Sequence, residues 1–202
     1  IEIINQLVAQ NVAGIAIAAN DADALQPALT EAMDAGIKVI SLDSAVNKDS
    51  RQTHIQQADP EKIGRGLIQA AYEMVDGNGG IAVLSATAQA TNQNLWIEWM
   101  KKELEENPEK YANTPLVKVA YGDDDPTKST SETQALLTDS SIKVIIAPTT
   151  VGMLAAGKVL QDKQSDVKLT GLGLPSEMAP FIEDGTCPWM YLWNPVDIGY
   201  LS

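Results

Sequence analysis

The segment IKVISLDS, residues 37–44, is an apolar stretch that ends in a carboxylate. Val39, Ile40 and Leu42 form a near-continuous apolar run, which is typical of a strand covered by helices on both faces. Asp43 follows where such a strand reaches the edge of its sheet, and open α/β sheets hold their ligands at that edge. A helix N-cap or a turn is the alternative role for this aspartate.

The same pattern of a buried strand followed by polar residues recurs along the chain, with a helical pattern after each strand. The alternation predicts a doubly wound parallel α/β architecture. The predicted strands are 13–19, 37–42, 81–85, 116–121, 141–147, 167–171 and 188–193, and residues 53–57 are either a short strand or a crossover segment. The predicted helices are one from Ile1, then 25–35, 61–75, 91–106, 127–138, 151–161 and 176–184 with Ser176 as its cap, and one from Pro195.

Composition excludes several classes of partner and site. The 202 residues carry a formal charge of −13 without a basic cluster, which argues against a nucleic-acid partner. Cys187 is the only cysteine and His54 the only histidine, so neither an internal disulfide nor the usual Cys/His zinc site can form. We expect no metal and no cofactor.

The two ends of the chain fall within helical patterns. The sequence opens at Ile1 inside one such pattern and stops at Ser202 soon after another begins at Pro195. We therefore expect a fragment that lacks elements at both ends. No apolar run approaches the length of about 18 residues needed for a membrane span, and no signal peptide is visible.

The motifs of common enzyme classes are missing. There is no G-x-S-x-G elbow and no phosphate-binding P-loop, and His54 has no serine or cysteine neighbour by motif, so it is interpreted as a strand histidine. Gly171-x-Gly173 follows a strand, but Ser176 stands where a dinucleotide-binding loop has its third glycine. Gly173 is better explained by a tight turn or by close approach of the backbone to a ligand.

Polar, mostly uncharged groups follow several of the predicted strands. Amides, hydroxyls and one carboxylate suit a ligand made of hydroxyl groups, because each sugar hydroxyl both donates and accepts. An indole supplies an apolar wall for a sugar ring, whereas a phosphorylated ligand would require Arg or Lys. The residues concerned are Asp43, Asn92, Gln93, Thr149, Thr150, Asn194 and, beside it, Trp193.

Structural roles compete with binding at some positions. Asn92 and Gln93 can be N-cap residues, and Trp96 and Trp99 lie at a helical spacing typical of core packing. The acidic run 122–126, GDDDP, lacks the ligand spacing of a calcium loop and is interpreted as a solvated helix cap.

At this point the sequence resembles the periplasmic sugar-binding proteins of the type I fold, the solute receptors of ABC importers. The likeness runs along the whole chain and is strongest to the branch that contains rhamnose-binding receptors and the autoinducer-2 receptor. The segments that carry it are LDS at 42–44, TNQNLW at 91–96, IIAP at 145–148, GLGLPSEM at 171–178 and LWNP at 192–195.

The resemblance implies a set of ligand-binding residues in a cleft between two lobes. Ribose-type receptors carry Asp-Arg where this chain has Asp43-Ser44, and the autoinducer-2 receptor has an aspartate at the position of Asn92. A rhamnose-like deoxyhexose is therefore favoured, with autoinducer-2 as the other possibility. The residues implied or predicted are Asp43, Asn92, Gln93, Pro148, Thr149, Thr150, Gly173 and Trp193.

The resemblance also implies an organisation and a set of partners. Residues 1–57 and 194–202 would form the near lobe and 58–193 the far lobe, joined by a hinge near Gln57 and closing on the sugar. The protein would be a monomer outside the cytoplasm, either periplasmic or lipid-anchored at the cell surface. Its partners would be a monosaccharide and the membrane permease of an ABC importer, and it would not be an enzyme.

Two other classes of protein use the same fold. The effector-binding domain of a LacI-type repressor is one alternative, and a helix-turn-helix upstream of Ile1 would identify it. A small-molecule enzyme on the same sheet topology, such as a sugar isomerase, is the other, with Asp43 as its only candidate base.

Overall fold

The computed structural model describes all residues from Ile1 to Ser202. The chain divides into two compact units, which are described separately below. The first unit comprises residues 1–59, 89–94 and 193–202. The second unit comprises residues 60–88 and 95–192.

The first unit contains a three-stranded parallel sheet with strand order β1-β2-β3. Branched apolar residues of its strands pack with helical residues in one core that includes Ile15, Leu29 and Val39. The strands are β1 Gly14–Ile17, β2 Lys38–Leu42 and β3 Thr53–Ile55. The helices are α1 Glu2–Ala9, α2 Ala22–Asp34 and α8 Pro195–Leu201, with a short 3-10 helix at Lys48–Ser50.

Local signals in the sequence set the limits of the helix between β1 and β2. The Asp21 side chain accepts a hydrogen bond from the backbone N of Ala24 at 3.0 Å and caps α2. Gly36 adopts φ of +88° just after the helix, where a residue with a Cβ would be strained. These two residues direct the chain into β2.

The second unit contains a four-stranded parallel sheet with strand order β5-β4-β6-β7. All six residues of the central strand β4 are buried, as expected for a strand covered on both faces. The strands are β4 Gly80–Ser85, β5 Leu116–Tyr121, β6 Ile142–Ala147 and β7 Lys168–Gly171. The helices are α3 Pro60–Met74, α4 Thr91–Glu106, whose residues 91–94 group with the first unit, α5 Pro126–Leu136, α6 Thr150–Asp162 and α7 Pro175–Glu183.

The expected alternation of parallel strands and helices is confirmed, with one exception. Residues 188–193, predicted to be a strand, form only an isolated bridge between Tyr191 and Leu172. Trp189 and Tyr191 keep 37% and 43% of their surface exposed, so these two side chains are not covered by another layer. Pro188 also lacks the N–H that a ladder requires.

The start of α7 also differs from the prediction. Leu174, not Ser176, is the N-cap, and Pro175 occupies the first turn. Proline is favoured there because its fixed φ suits a helix and its missing N–H would have no helical partner. The backbone N of Met178 donates to Leu174 O at 3.0 Å, which places Ser176 inside the helix.

The helices of the chain are short or polar. None combines the length and the apolar character needed to cross a membrane.

Candidate ligand-binding site

Asp43 lies one residue beyond β2 in an unusual backbone conformation. Its φ is +55°, in the left-handed region that aspartate tolerates better than most residues. Its backbone N donates to Ile55 O at 3.1 Å, so the neighbouring strand β3 holds the turn in place. The side chain is thus carried on a rigid sheet edge, as the sequence predicted, and does not cap a helix.

The carboxylate of Asp43 lacks part of the solvation that a charged group requires. Its Oδ1 atom is buried and has no hydrogen-bond partner. Burial raises the pKa of Asp43 above its ordinary value of 3.8, because the charged form loses contact with water. A ligand that supplies hydroxyl donors would provide the missing hydrogen bond to Oδ1.

Two further polar groups near the same sheet edge are buried without partners. They are Ser44 Oγ and Gln57 Nε2, and the two residues are 6% and 8% exposed. Each lies two residues beyond the last paired residues of its strand, Leu42 in β2 and Ile55 in β3. We call Asp43, Ser44 and Gln57 the β2–β3 edge cluster.

The sequence patterns do not indicate Ser44 and Gln57 as site residues. The sequence places a hinge near Gln57, and Ser44 is a departure from the ribose-type pattern. The available signal was the one used for Asp43, a polar residue just after a strand. The short strand β3 made that signal weak for Gln57.

His54 has a serine neighbour that no motif revealed. Its Nδ1 lies 2.9 Å from Ser41 Oγ. Ser41 is fully buried within β2, so its hydroxyl cannot reach a substrate as a nucleophile. The pair is part of the sheet, in agreement with a strand histidine.

Asn92 and Gln93 lie in the first turn of α4. The Asn92 Oδ1 atom accepts a hydrogen bond from the backbone N of Gln93 at 2.8 Å. Asn92 therefore satisfies an unpaired N–H of the helix start, a role like the capping role left open by the sequence. Gln93 is 7% exposed.

Trp193 is half-buried and, like Asn92 and Gln93, groups with the first unit. The next residue, Asn194, caps α8 through its Oδ1, which accepts from the backbone N of Val196 at 3.0 Å. Trp96, by contrast, is 1% exposed, in agreement with a core role.

Pro148, Thr149 and Thr150 follow β6 in the second unit. Pro148 and Thr149 are buried and Thr150 is exposed at the start of α6. Thr149 is the N-cap residue, but its hydroxyl donates to Asp124 Oδ1 and not to the helix. The hydroxyl proton of Thr149 is therefore already used, which leaves only its oxygen lone pairs for a ligand.

Gly173 is closely surrounded by methionine side chains. A Cβ atom at this position would lie 2.9 Å from Met178 Cγ and 3.2 Å from Met190 Sδ. Its backbone has no positive φ, so a tight turn that only glycine can make is not the reason for this residue. Two methionines occupy the space that a larger side chain would need.

The acidic run is a helix cap, as the sequence predicted. Asp125 Oδ1 accepts from the backbone N of Lys128 at 2.7 Å and caps α5, while Asp123 pairs with the Lys128 ammonium. Asp124 accepts from Thr149. The structure contains no group of three or more His, Cys, Asp or Glu side chains that could hold a metal ion.

Parallel α/β units with a partly desolvated carboxylate at a strand end are typical of proteins that bind small polar ligands. The chain belongs to the periplasmic binding protein domain family, whose model matches residues 1–202. It has the type I periplasmic-binding-protein fold predicted from the resemblance. The members to which the chain is similar are ABC-transporter sugar-binding proteins, not enzymes.

Several solved structures are similar along nearly the whole chain. An ABC transporter solute-binding protein from Clostridium phytofermentas with bound L-rhamnose is 51% identical, with a TM-score of 0.94 over 99% of this chain and 64% of that one. A sugar ABC transporter protein from Actinomyces odontolyticus is 42% identical, with a TM-score of 0.72 over 98% of this chain and 64% of that one. LsrB from Clostridium saccharobutylicum in complex with AI-2 is 25% identical, with a TM-score of 0.83 over 92% of this chain and 60% of that one. The chain thus spans slightly less than two thirds of the length of these proteins.

Proposed function

We propose that this chain is the sugar-binding part of an extracytoplasmic solute receptor of an ABC importer, and that its ligand is a monosaccharide of the L-rhamnose type. The observation that carries the proposal is the buried carboxylate oxygen of Asp43, which has no donor in the unliganded protein. Native structures rarely leave such a group unpaired without a functional reason. The similarity to a rhamnose-bound protein supports the choice of ligand class.

The proposed chemistry begins with the hydroxyl groups of the sugar. A carboxylate has about four acceptor positions and can take hydrogen bonds from two adjacent hydroxyls. These charge-assisted bonds would offset the burial that raises the pKa of Asp43, so ligand binding would lower that pKa again. Asp43, which the end of β2 holds in place, would therefore contribute a large part of the binding energy.

A deoxyhexose is favoured over autoinducer-2 on two grounds. The rhamnose-bound protein is 51% identical to this chain, whereas the AI-2-bound protein is 25% identical. Asn92 also stands where the resemblance places an aspartate in the autoinducer-2 receptor. A neutral amide suits a ligand whose hydroxyls act both as donors and as acceptors.

The other predicted ligand contacts remain part of the proposal. Thr149 has the least support among them, because its hydroxyl donates to Asp124. Trp193 would contribute an apolar ring face. The remaining predicted contacts are Asn92, Gln93, Pro148, Thr150 and Gly173.

The proposal extends to the whole protein. Its partner would be the permease of the importer, and it would act as a monomer in the periplasm or anchored by lipid at the cell surface. The formal charge of −13 is compatible with high solubility at that location.

A thermal-shift panel on the full-length protein tests the proposal. L-rhamnose, other hexoses and pentoses, and autoinducer-2 are each added at millimolar concentration. A ligand at a hundred times its dissociation constant stabilises the folded state by about 2.7 kcal/mol. We expect L-rhamnose or a close deoxyhexose to raise the melting temperature, and we expect Asp43→Asn to abolish the shift. If no sugar shifts the melting temperature of the wild type, the proposal is wrong.

A further inference from the structure

A chain of hydrogen-bonded side chains links β2 to β3 in the first unit and ends at Gln57. Arg51 Nη1 donates to Ser41 Oγ at 3.3 Å, and Ser41 Oγ lies 2.9 Å from His54 Nδ1. His54 Nε2 lies 3.0 Å from Gln56 Oε1, and Gln56 Nε2 donates to Gln57 Oε1 at 2.7 Å. All five residues belong to the first unit.

The two ends of this chain determine its direction. A guanidinium can only donate, so Ser41 accepts from Arg51. Ser41 is fully buried, and its own O–H therefore needs an acceptor, which His54 Nδ1 provides. The proton of His54 is then on Nε2 and is donated to Gln56, whose amide N–H is donated to Gln57 Oε1.

This direction leaves one donor without a partner at the end of the chain. Gln57 uses its Oε1 as an acceptor, and its Nε2 is buried without a hydrogen-bond partner. Gln57 is 8% exposed, so water does not solvate this amide freely. The opposite direction would instead leave the buried Ser41 hydroxyl without an acceptor.

The backbone of Gln57 lies on the same sheet edge as Asp43, the residue that carries the proposed function. The backbone N of Asp43 bonds to Ile55 O at 3.1 Å, and Gln57 follows Ile55 by two residues. Adjacent parallel strands are about 4.8 Å apart, so the residues just beyond β2 and β3 share one edge of the sheet. The β2–β3 edge cluster therefore presents an acceptor at Asp43, a donor at Gln57 and a hydroxyl at Ser44.

We propose that Gln57 is a further ligand-binding residue, whose Nε2 donates a hydrogen bond to an oxygen atom of the bound sugar. Ser41, His54 and Gln56 are positioning residues that hold the amide of Gln57 in the orientation of a donor. The positive charge of Arg51 at the start of the chain polarises each successive bond in the same sense. With an acceptor at Asp43 and a donor at Gln57 on the same sheet edge, the site can accept a hydrogen bond from one sugar hydroxyl and donate one to another sugar oxygen.

The inference rests on the proposed function, and a binding measurement separates the two. Isothermal titration with L-rhamnose compares the wild type with Gln57→Met, which keeps the length of the side chain but removes its polar atoms. We expect an affinity about tenfold lower, because an oxygen of the sugar loses its donor. The melting temperature of the unliganded variant should change little, because the variant loses the hydrogen bond from Gln56 but also removes an unpaired buried donor.

Gln10→Met is the matched control, since Gln10 is exposed at the end of α1, and its affinity should equal that of the wild type. If Gln57→Met does not fold, Gln57→Glu replaces the donor by an oxygen at the same position, and it should also weaken binding. A wild type that binds no sugar contradicts the proposed function. A wild type that binds, together with Gln57 variants that bind equally well, overturns only the role of Gln57.

The direction of the chain has its own test, because His54 is the only histidine. A long-range ¹⁵N–¹H correlation spectrum at mildly alkaline pH, where imidazole is neutral, reports which ring nitrogen carries the proton. We expect the Nε2–H tautomer in the wild type. The Nδ1–H tautomer would reverse the chain, make Gln57 an acceptor and overturn the inference.

Discussion

The carboxyl edges of the two sheets both carry polar residues after buried strands but differ in whether those polar groups have hydrogen-bond partners. At the edge of β2 and β3, Asp43, Ser44 and Gln57 each have a buried polar atom without a partner. At the edge of β6, Thr149 donates to Asp124, whose neighbour Asp125 caps a helix. Polar atoms at the β2–β3 edge thus lack hydrogen-bond partners, whereas those at the β6 edge mostly have partners within the protein.

The difference shows that a polar residue after a buried strand has two possible uses. It can bind a ligand, or it can tie neighbouring loops together, and the pattern of apolar and polar residues is the same in both cases. The second edge is not uniformly satisfied, since Thr87 Oγ1, two residues beyond β4, is also buried without a partner. The two uses differ in whether the polar atom already has a hydrogen-bond partner within the protein, and substitutions at each edge should therefore have different effects.

The largest effect is expected for Gly171→Ala, at the end of β7 in the second unit. Gly171 has φ of +152°, and a Cβ there would collide with the carbonyl group of Ala147. Backbone strain and overpacking together should lower the free energy of unfolding by about 3 to 5 kcal/mol, measured by urea denaturation.

The control for Gly171→Ala is Gly66→Ala. Gly66 lies within α3, and its added Cβ would meet no atom within 4 Å. That variant should gain about 0.5 to 1 kcal/mol, because alanine is the better helix former. If the two variants were equally stable, the backbone around Gly171 could not be closely packed against Ala147.

The next largest effect is expected for Asp43→Ala, which removes the carboxylate of the first edge. Binding of L-rhamnose should weaken by about 2 to 4 kcal/mol, because a charged acceptor is lost and sugar hydroxyls are left unpaired. Isothermal titration measures the change.

Asp123→Ala is a close control for Asp43→Ala, because Asp123 is also an aspartate in the left-handed region, with φ of +54° against +55°. Its substitution should leave the affinity unchanged. If the affinity of Asp43→Ala were also unchanged, the β2–β3 edge would not be the edge that binds the ligand.

A smaller effect is expected for Thr149→Val in the second unit. The variant keeps the shape of the side chain and removes the hydrogen bond to Asp124. The free energy of unfolding should fall by about 1 kcal/mol, and the affinity for sugar should change less than in Asp43→Ala. A large loss of affinity at full stability would show that Thr149 acts mainly on the ligand.

The smallest effect concerns the pH dependence of stability in the unliganded protein. Because burial raises the pKa of Asp43 in the folded state, the folded protein is favoured below pH 3.8 and loses that advantage as the pH rises through the raised pKa. The Asp43→Asn variant has no charge at this position, so its stability does not fall in this way as the pH rises. Its melting temperature should therefore exceed that of the wild type at neutral pH, and the difference should shrink as the pH falls towards 3.8. A difference that grows on acidification would contradict an unsatisfied carboxylate.

The sequence predicted most of the architecture because the apolar periodicity of its strands and helices is strong. Residues 91–106 and 116–121 were predicted with the limits that the structure has for α4 and β5. The failure at residues 188–193 has a physical cause, since aromatic and apolar residues favour strands only where another layer covers them. Trp189 remains 37% exposed, and its segment does not join the sheet as a strand.

The candidate site was partly predictable for a related reason. Asp43 was identified because its strand is long and apolar, so the end of the strand could be located. Gln57 follows a strand of only three residues, and the hydrogen-bond chain that reaches it through His54 and Gln56 begins at Ser41 and Arg51, more than five positions away in the sequence. No pattern of neighbouring residues indicates bonds of that kind.

The sequence by itself determined the fold class, the family and the position of the principal carboxylate, because periodicity and strand-end motifs are local properties. Only the tertiary structure decided which polar groups are satisfied and which are not. Thr149 and Gln57 look alike in the sequence as polar residues after strands, yet one hydroxyl is bound to Asp124 and one amide is left as a buried donor. The reason is that a hydrogen bond depends on distances between atoms that the fold brings together, and burial makes each missing bond costly.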